Sequence, residues 1–164
     1  MRTSIHALGA AAMAAGALRI IDSFTAQSLS PAALAVLYFA TDVLLLLGIA
    51  GIYWSRRAQL AVAGTSGTMI FVIGIVLIRL AAFGVLGANG YQLGAAVAAL
   101  GLALLACEDL LRRSGHDVAA ALWLATFGFG VAGALGLVPV VMTMLAGVTF
   151  GAGFLAAGLE VARG

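Results

Sequence analysis

The alternation of apolar and polar positions divides the chain into six long apolar stretches separated by short breaks. A helix needs about 20 apolar residues to cross the hydrocarbon core of a bilayer, and each stretch is of about that length. The pattern predicts an all-α integral membrane protein, a single transmembrane domain over residues 1–164 folded as a bundle of six helices. The predicted helices cover approximately residues 4–24, 31–54, 58–86, 91–111, 117–136 and 138–162.

The first stretch contains charged residues, and prolines open two of the later stretches. The first stretch is rich in Ala and carries Arg19 and Asp22, so it is the weakest span; we expect it to be retained as a helix rather than removed as a signal peptide. Pro31 and Pro139 open the second and sixth stretches, where a proline suits the first helical turn because its missing N–H has no partner there.

Arginine placement predicts the orientation. The third loop, "GANG", and the fifth, "GLVP", carry no basic residue. Because cytoplasmic loops carry the excess of Lys and Arg, both termini and the even-numbered loops are expected in the cytoplasm. Six of the eight basic residues lie at the termini or in the second and fourth loops: Arg2, Arg56, Arg57, Arg112, Arg113 and Arg163.

Similar helix ends suggest an internal repeat. The second, fourth and sixth helices end in "IAGIYWSRR", "LACEDLLRR" and "LAAGLEVAR". Three helical hairpins produced by duplication would explain the similarity. The alternative is that any helix rich in Ala, Leu and Gly that ends in Arg resembles the others.

Regularly spaced glycines predict where helices pack. In lipid, small residues allow two helix backbones to approach closely, and close packing replaces the hydrophobic drive that water supplies. Glycines recur seven or four residues apart on four of the helices, which predicts a tight bundle; a glycine-lined path or cofactor cleft is the alternative. The predicted packing positions are Gly9, Gly16, Gly67, Gly74, Gly94, Gly101, Gly147, Gly151 and Gly158.

Four charges within the spans form a predicted cluster: Arg19, Asp22, Asp42 and Arg79. Arg79 lies 22 residues beyond Arg57, roughly 33 Å along a helix and therefore near the outer boundary. Asp42 is deeper, roughly 21 Å from the inner boundary and close to the level of Arg19. We expect Asp42 to pair with Arg19, Arg79 or both in the outer half of the bundle.

The nearest polar supports of this cluster are Ser23, Tyr38 and Thr41. The pair could pin helices together, or the cluster could bind an anion or relay protons. A third possibility is that the charges are unpaired and contact water, lipid headgroups or a partner subunit.

A second polar group falls at the inner face: Glu108, Asp109, Arg112, Arg113 and His116. Each acidic residue precedes an arginine by four positions, which favours ion pairs along one helix. No metal site and no cofactor are expected. The alternative is a haem or pigment held by His6 or His116, or a metal held with Cys107 and Glu108.

Composition narrows the class further. The chain is 64% hydrophobic and 9% charged, with a mean hydropathy of +1.19, which is far from the soluble range. All basic residues are Arg, so chemistry that needs a Schiff-base lysine is excluded. The exclusive use of Arg, with abundant Ala and Gly, suggests a bacterial gene, and we expect the protein in the cytoplasmic (inner) membrane.

No catalytic constellation, phosphate loop or nucleic-acid patch is evident. The favoured hypothesis is a non-catalytic accessory or structural subunit that packs against the lipid bilayer and against itself or other membrane subunits, with no nucleic-acid partner. The first alternative is a small transporter or channel that uses the intramembrane Arg/Asp cluster. The second is a haem- or pigment-carrying membrane subunit.

Overall fold

The computed structural model describes residues 2–25, 28–87, 89–112 and 117–163, and this part of the chain forms six helices and no strand. All six helices are long and apolar enough to cross a membrane. The predicted class, a multi-pass helical membrane protein, is confirmed at that level. The helices are α1 (Arg2–Thr25), α2 (Pro31–Arg56), α3 (Val62–Ala82), α4 (Gly90–Arg112), α5 (Asp117–Ala134) and α6 (Pro139–Arg163).

α3 is shorter than the helix predicted at 58–86, by four residues at each end. At its start, the chain leaving α2 makes a turn in which the N–H groups of Gln59 and Leu60 donate to the carbonyl of Arg56, at 2.8 and 3.1 Å. This turn separates α2 from α3. Ala58, Leu60 and Ala61 are apolar although they precede α3, so hydropathy alone did not locate the start of the helix.

The ends of α3 and α5 are set by glycine. After α3, the N–H of Val85 donates to the carbonyl of Leu80 at 3.0 Å, and Gly84 takes a φ of +78°. This is a Schellman motif, whose left-handed residue is almost always glycine because a Cβ is disfavoured there. The same motif, with Gly136 at a φ of +86°, ends α5 at Ala134 rather than at the predicted 136.

The helices are arranged around the bundle in the order α2, α1, α6, α5, α4, α3. Consecutive helices α1–α2, α3–α4 and α5–α6 pack as hairpins, whereas α2 and α3 share only a narrow contact. This arrangement is compatible with three hairpins, and the duplication stays a prediction. We call the end of the bundle at which α1 begins and α6 ends the termini end, and the opposite end the far end.

The predicted glycines lie at helix contacts. A Cβ added to Gly9 would lie 2.9 Å from the carbonyl oxygen of Gly158, across the α1–α6 interface. A Cβ added to Gly67 would lie 2.6 Å from the carbonyl oxygen of Gly101, across α3–α4. At all nine predicted positions an added Cβ would meet an atom of another helix. The glycine stripes therefore define the two most extensive interfaces of the bundle.

The core between these interfaces is aromatic. Trp123 of α5, Phe154 of α6 and Phe71 of α3 are fully buried. The ring of Phe154 lies 5.5 Å from that of Trp123 and 5.6 Å from that of Phe71, centroid to centroid. These contacts join α3, α5 and α6.

Candidate functional site

The ionisable side chains inside the bundle form two clusters. The far-end cluster consists of Arg19, Asp22, Asp42 and Arg79. The termini-end cluster consists of Arg56, Glu108, Asp109, Arg112 and Glu160.

In the far-end cluster, an ion pair joins α2 to α3. Nε of Arg79 donates to Oδ2 of Asp42, and the two side chains are 22% and 13% exposed. The ring of Phe39 lies beside the guanidinium of Arg79, with its centroid 6.0 Å from Cζ. Asp42 thus contacts Arg79, one of the two arginines that its predicted depth in the membrane indicated as partners.

The other arginine, Arg19, pairs within its own helix. Its Nη1 donates to Oδ2 of Asp22 at 2.6 Å, one turn along α1. Arg19 is still close enough to Asp42 to act on it electrostatically, and Tyr38 and Tyr91 lie beside Arg19. The two ion pairs therefore belong to one neutral cluster on α1, α2 and α3.

Of the three expected hydroxyl supports, Tyr38 lies beside Arg19 and Asp22, whereas Ser23 and Thr41 do not bind these charges. Ser23 donates to the carbonyl of Arg19 at 2.9 Å, and Thr41 donates to the carbonyl of Leu37 at 2.8 Å, as hydroxyls in membrane helices commonly do. One acceptor of the cluster is left over. Oδ1 of Asp22 is buried, and within the described ranges it has no hydrogen-bond partner.

In the termini-end cluster, Arg56 bridges three helices. Its side chain is 3% exposed, and its Nη1 donates to Oδ2 of Asp109 on α4 at 2.7 Å. Its Nη2 donates to Oε2 of Glu160 on α6 at 2.9 Å. One guanidinium at the end of α2 therefore holds the ends of α4 and α6.

Glu108 caps a helix other than its own. Its two carboxylate oxygens accept the N–H groups of Ala61 and Gly64 in the first turn of α3. Nε of Arg112 donates to the same carboxylate at 2.9 Å. The first N–H groups of a helix have no partner within the helix and carry partial positive charge, so a carboxylate satisfies both needs. This cap explains why α3 begins at Val62.

The structure brings some of the predicted inner-face residues together and gives others a different partner. The pair of Glu108 and Arg112 joins two residues of the predicted inner-face group, whereas Asp109 contacts Arg56, a partner that spacing along one helix could not indicate. Arg113 and His116 lie outside the described residues. Glu160 and the bridging role of Arg56 were missed. The available signal was the repeated ending of the three even-numbered helices, whose charged residues meet in space.

The candidate cofactor ligands are dispersed. His6 on α1 and Cys107 on α4 are both exposed. In the part of the chain that the structure describes, no three His, Cys, Asp or Glu residues are grouped so as to hold a metal ion. The absence of a cofactor stays a prediction, as does the alternative of a haem or pigment at His6 or His116.

A shallow depression of about 360 Å³ lies at the start of α3. Its lining belongs to one segment: Leu60, Ala61, Val62, Thr65 and Ser66. The depression is at the termini end, and none of the far-end cluster residues lines it. It therefore does not supply the access to that cluster that a transport path would need.

Comparisons with protein-family models, curated proteins and solved structures find no match to this chain.

Proposed function

We propose that this chain is a non-catalytic accessory or structural subunit of a membrane assembly, built with copies of itself or with other membrane subunits. The observation that carries the proposal is the internal pairing of its acidic side chains. In α1, α2, α4 and α6, every acidic side chain contacts an arginine of the same chain: Asp22, Asp42, Glu108, Asp109 and Glu160. Three of these contacts join different helices: Asp42 binds Arg79, and Asp109 and Glu160 both bind Arg56. These charges therefore stabilise packing within the chain.

The proposal includes a location and an orientation. Arg57, Arg112 and Arg163 are exposed at the termini end, while the arginines of the far end, Arg19 and Arg79, are engaged in ion pairs. This asymmetry supports an orientation with the termini in the cytoplasm. The exclusive use of Arg, with abundant Ala and Gly, supports a multi-pass protein of the bacterial cytoplasmic membrane.

Mass measurement in mild detergent and in lipid nanodiscs tests this function. We expect the tagged protein to be extracted in particles whose protein mass, without detergent and lipid, exceeds that of one 16.4 kDa chain. These particles should contain further copies of the chain or other membrane proteins in fixed ratio. A single chain in every mild detergent and in nanodiscs would contradict the subunit proposal.

Proton or ion transport is a second candidate, because Oδ1 of Asp22 is buried beside Arg19 and has no hydrogen-bond partner among the described residues. Ionisable groups deep in a membrane commonly mark proton relays. Proteoliposomes with an entrapped pH dye test it. Transport would be lost in Asp22→Asn and kept in Asp117→Asn, which changes an exposed carboxylate at the start of α5. Wild-type vesicles without flux would remove this candidate.

A further inference from the structure

The contact between α2 and α3 is narrow although the two helices are consecutive, and the ion pair of Asp42 and Arg79 crosses it. We define the α2–α3 seam as the surface formed by Phe39, Val43, Val76 and this ion pair. We propose that the seam binds one membrane phospholipid, with the lipid phosphate on the guanidinium of Arg79. This site is independent of the subunit function proposed above.

The guanidinium of Arg79 has N–H groups that no described residue accepts. A guanidinium carries five N–H groups, and the described contacts of Arg79 use only Nε, towards Asp42. No hydrogen-bond partner of Nη1 or Nη2 occurs among the described residues, and the side chain is 22% exposed. Two parallel N–H donors on one planar edge match two oxygens of a phosphate.

The depth of Arg79 suits a headgroup. Arg79 lies in the last turn of α3, 17 residues beyond Val62, which is about 25 Å along the helix. That distance is close to the thickness of the hydrocarbon core, about 30 Å. The unused donors therefore lie near the boundary where lipid phosphates are found.

An apolar surface continues from Arg79 towards the membrane centre. Phe39 is 59% exposed and lies beside the guanidinium. Val43 is one turn further along α2, and Val76 is one turn earlier in α3, so both lie on the side of the membrane centre. They are 41% and 46% exposed. A phosphate on Arg79 would therefore place an acyl chain against Val43 and Val76.

Charge favours a lipid phosphate over a second copy of the chain. The far-end cluster contains two arginines and two aspartates, so it carries no net charge that would repel a phosphate. Asp117, the exposed acidic residue in the described chain, lies at the termini end, so a second copy has no exposed described carboxylate to offer Arg79 at the far end. Phospholipid phosphates, by contrast, surround this position in any phospholipid bilayer.

Native mass spectrometry with added dioleoyl phosphatidylglycerol tests the proposal. We expect one tightly held lipid per chain, and an affinity about tenfold or more weaker in the double variant Asp42→Asn/Arg79→Gln, which removes the charges together. Arg57→Gln, at the termini end, should leave this binding within about twofold of wild type. Equal binding by the double variant and the wild type would overturn the proposal, as would an Arg79-dependent dimer without lipid.

Two tryptophan variants provide a second test, which does not depend on the folding of the charge variant. Val76→Trp fills the seam, whereas Leu100→Trp adds the same side chain at an exposed position of α4, outside the seam. We expect phosphatidylglycerol binding to fall in Val76→Trp alone. Wild-type binding in both variants would also overturn the proposal.

Discussion

A single methyl group added at Gly74 should separate α3 from α4. A Cβ at this position would lie 2.6 Å from Cα and 2.7 Å from Cβ of Ala98, whereas carbon atoms in contact are about 3.5–4.0 Å apart. Ala98 is 3% exposed, and the atoms concerned belong to its backbone and its Cβ, so they cannot rotate away. Gly74→Ala therefore requires the two helices to move apart by about 1 Å.

The expected loss of stability follows from that movement. Forcing a methyl group into a packed interior costs about 1–3 kcal/mol, and a gap of about 0.5–1 Å forfeits about a quarter to a half of the dispersion energy of the contacts it opens. The α3–α4 interface is the most extensive in the bundle, and close packing drives association in lipid. We expect a loss of about 2–4 kcal/mol, larger than the gain in helix propensity of about 1 kcal/mol.

Gly128→Ala is the matched control, because a Cβ at Gly128 on α5 would have no heavy atom of the described residues within 4 Å outside its own stretch of helix. Unfolding is followed by SDS titration in mixed micelles, with fluorescence of the buried Trp123 as the signal. We expect Gly128→Ala to be as stable as the wild type or slightly more stable. The packing argument fails if Gly74→Ala unfolds at the wild-type SDS fraction, or if both variants lose the same stability.

The same titration tests three side chains. Arg56→Met removes the guanidinium that bridges three helices and should cost about 3–5 kcal/mol, whereas Arg57→Met, at an exposed neighbour, should cost less than about 1 kcal/mol; equal losses would contradict the assigned roles. Asp42→Asn should lower the free energy of unfolding by about 1–2 kcal/mol, because its ion pair with Arg79 is partly exposed. Adding Arg79→Gln to this variant should recover part of the loss. If the losses of the two substitutions simply add, the two residues do not interact. Glu108→Gln should cost about 1–3 kcal/mol and speed amide exchange in the first turn of α3, so unchanged exchange would exclude the cap.

Hydropathy was sufficient for the number of spans but not for the limits of α3. The six stretches follow from the length that a bilayer imposes, and each became a helix. The start of α3 depends on Glu108, which is 44 residues away from Gly64 in the chain. A cap supplied by another helix leaves no local sequence signal, so the residues from Ala58 to Ala61 were assigned to the helix.

For the charged residues, counting along the chain likewise predicted their depth but not their partners. The depth of Asp42 could be read from residue counts, and this sufficed to expect an arginine partner in the outer half. The choice between Arg19 and Arg79 depended on helix rotation, which counting does not give. Arg56 and Arg57 are adjacent and chemically identical, yet one is buried between two carboxylates and the other lies over the ring of Trp54, with Cζ 4.5 Å from its centroid.

The position of α2 shows why this bundle retains buried charges. α2 packs closely on α1, where a Cβ added to Gly48 would lie 2.7 Å from Cα of Ala12, but its contacts with α3 and α6 are narrow. At these weak contacts α2 is held by polar groups, Asp42 to α3 and Arg56 to α4 and α6. Removing two charges from water costs nearly as much as their attraction returns, so such pairs add little stability. Because lipid gives no hydrophobic drive to close a loose contact, the ion pairs instead fix the rotation and depth of α2, which glycine packing on one side alone would leave undefined.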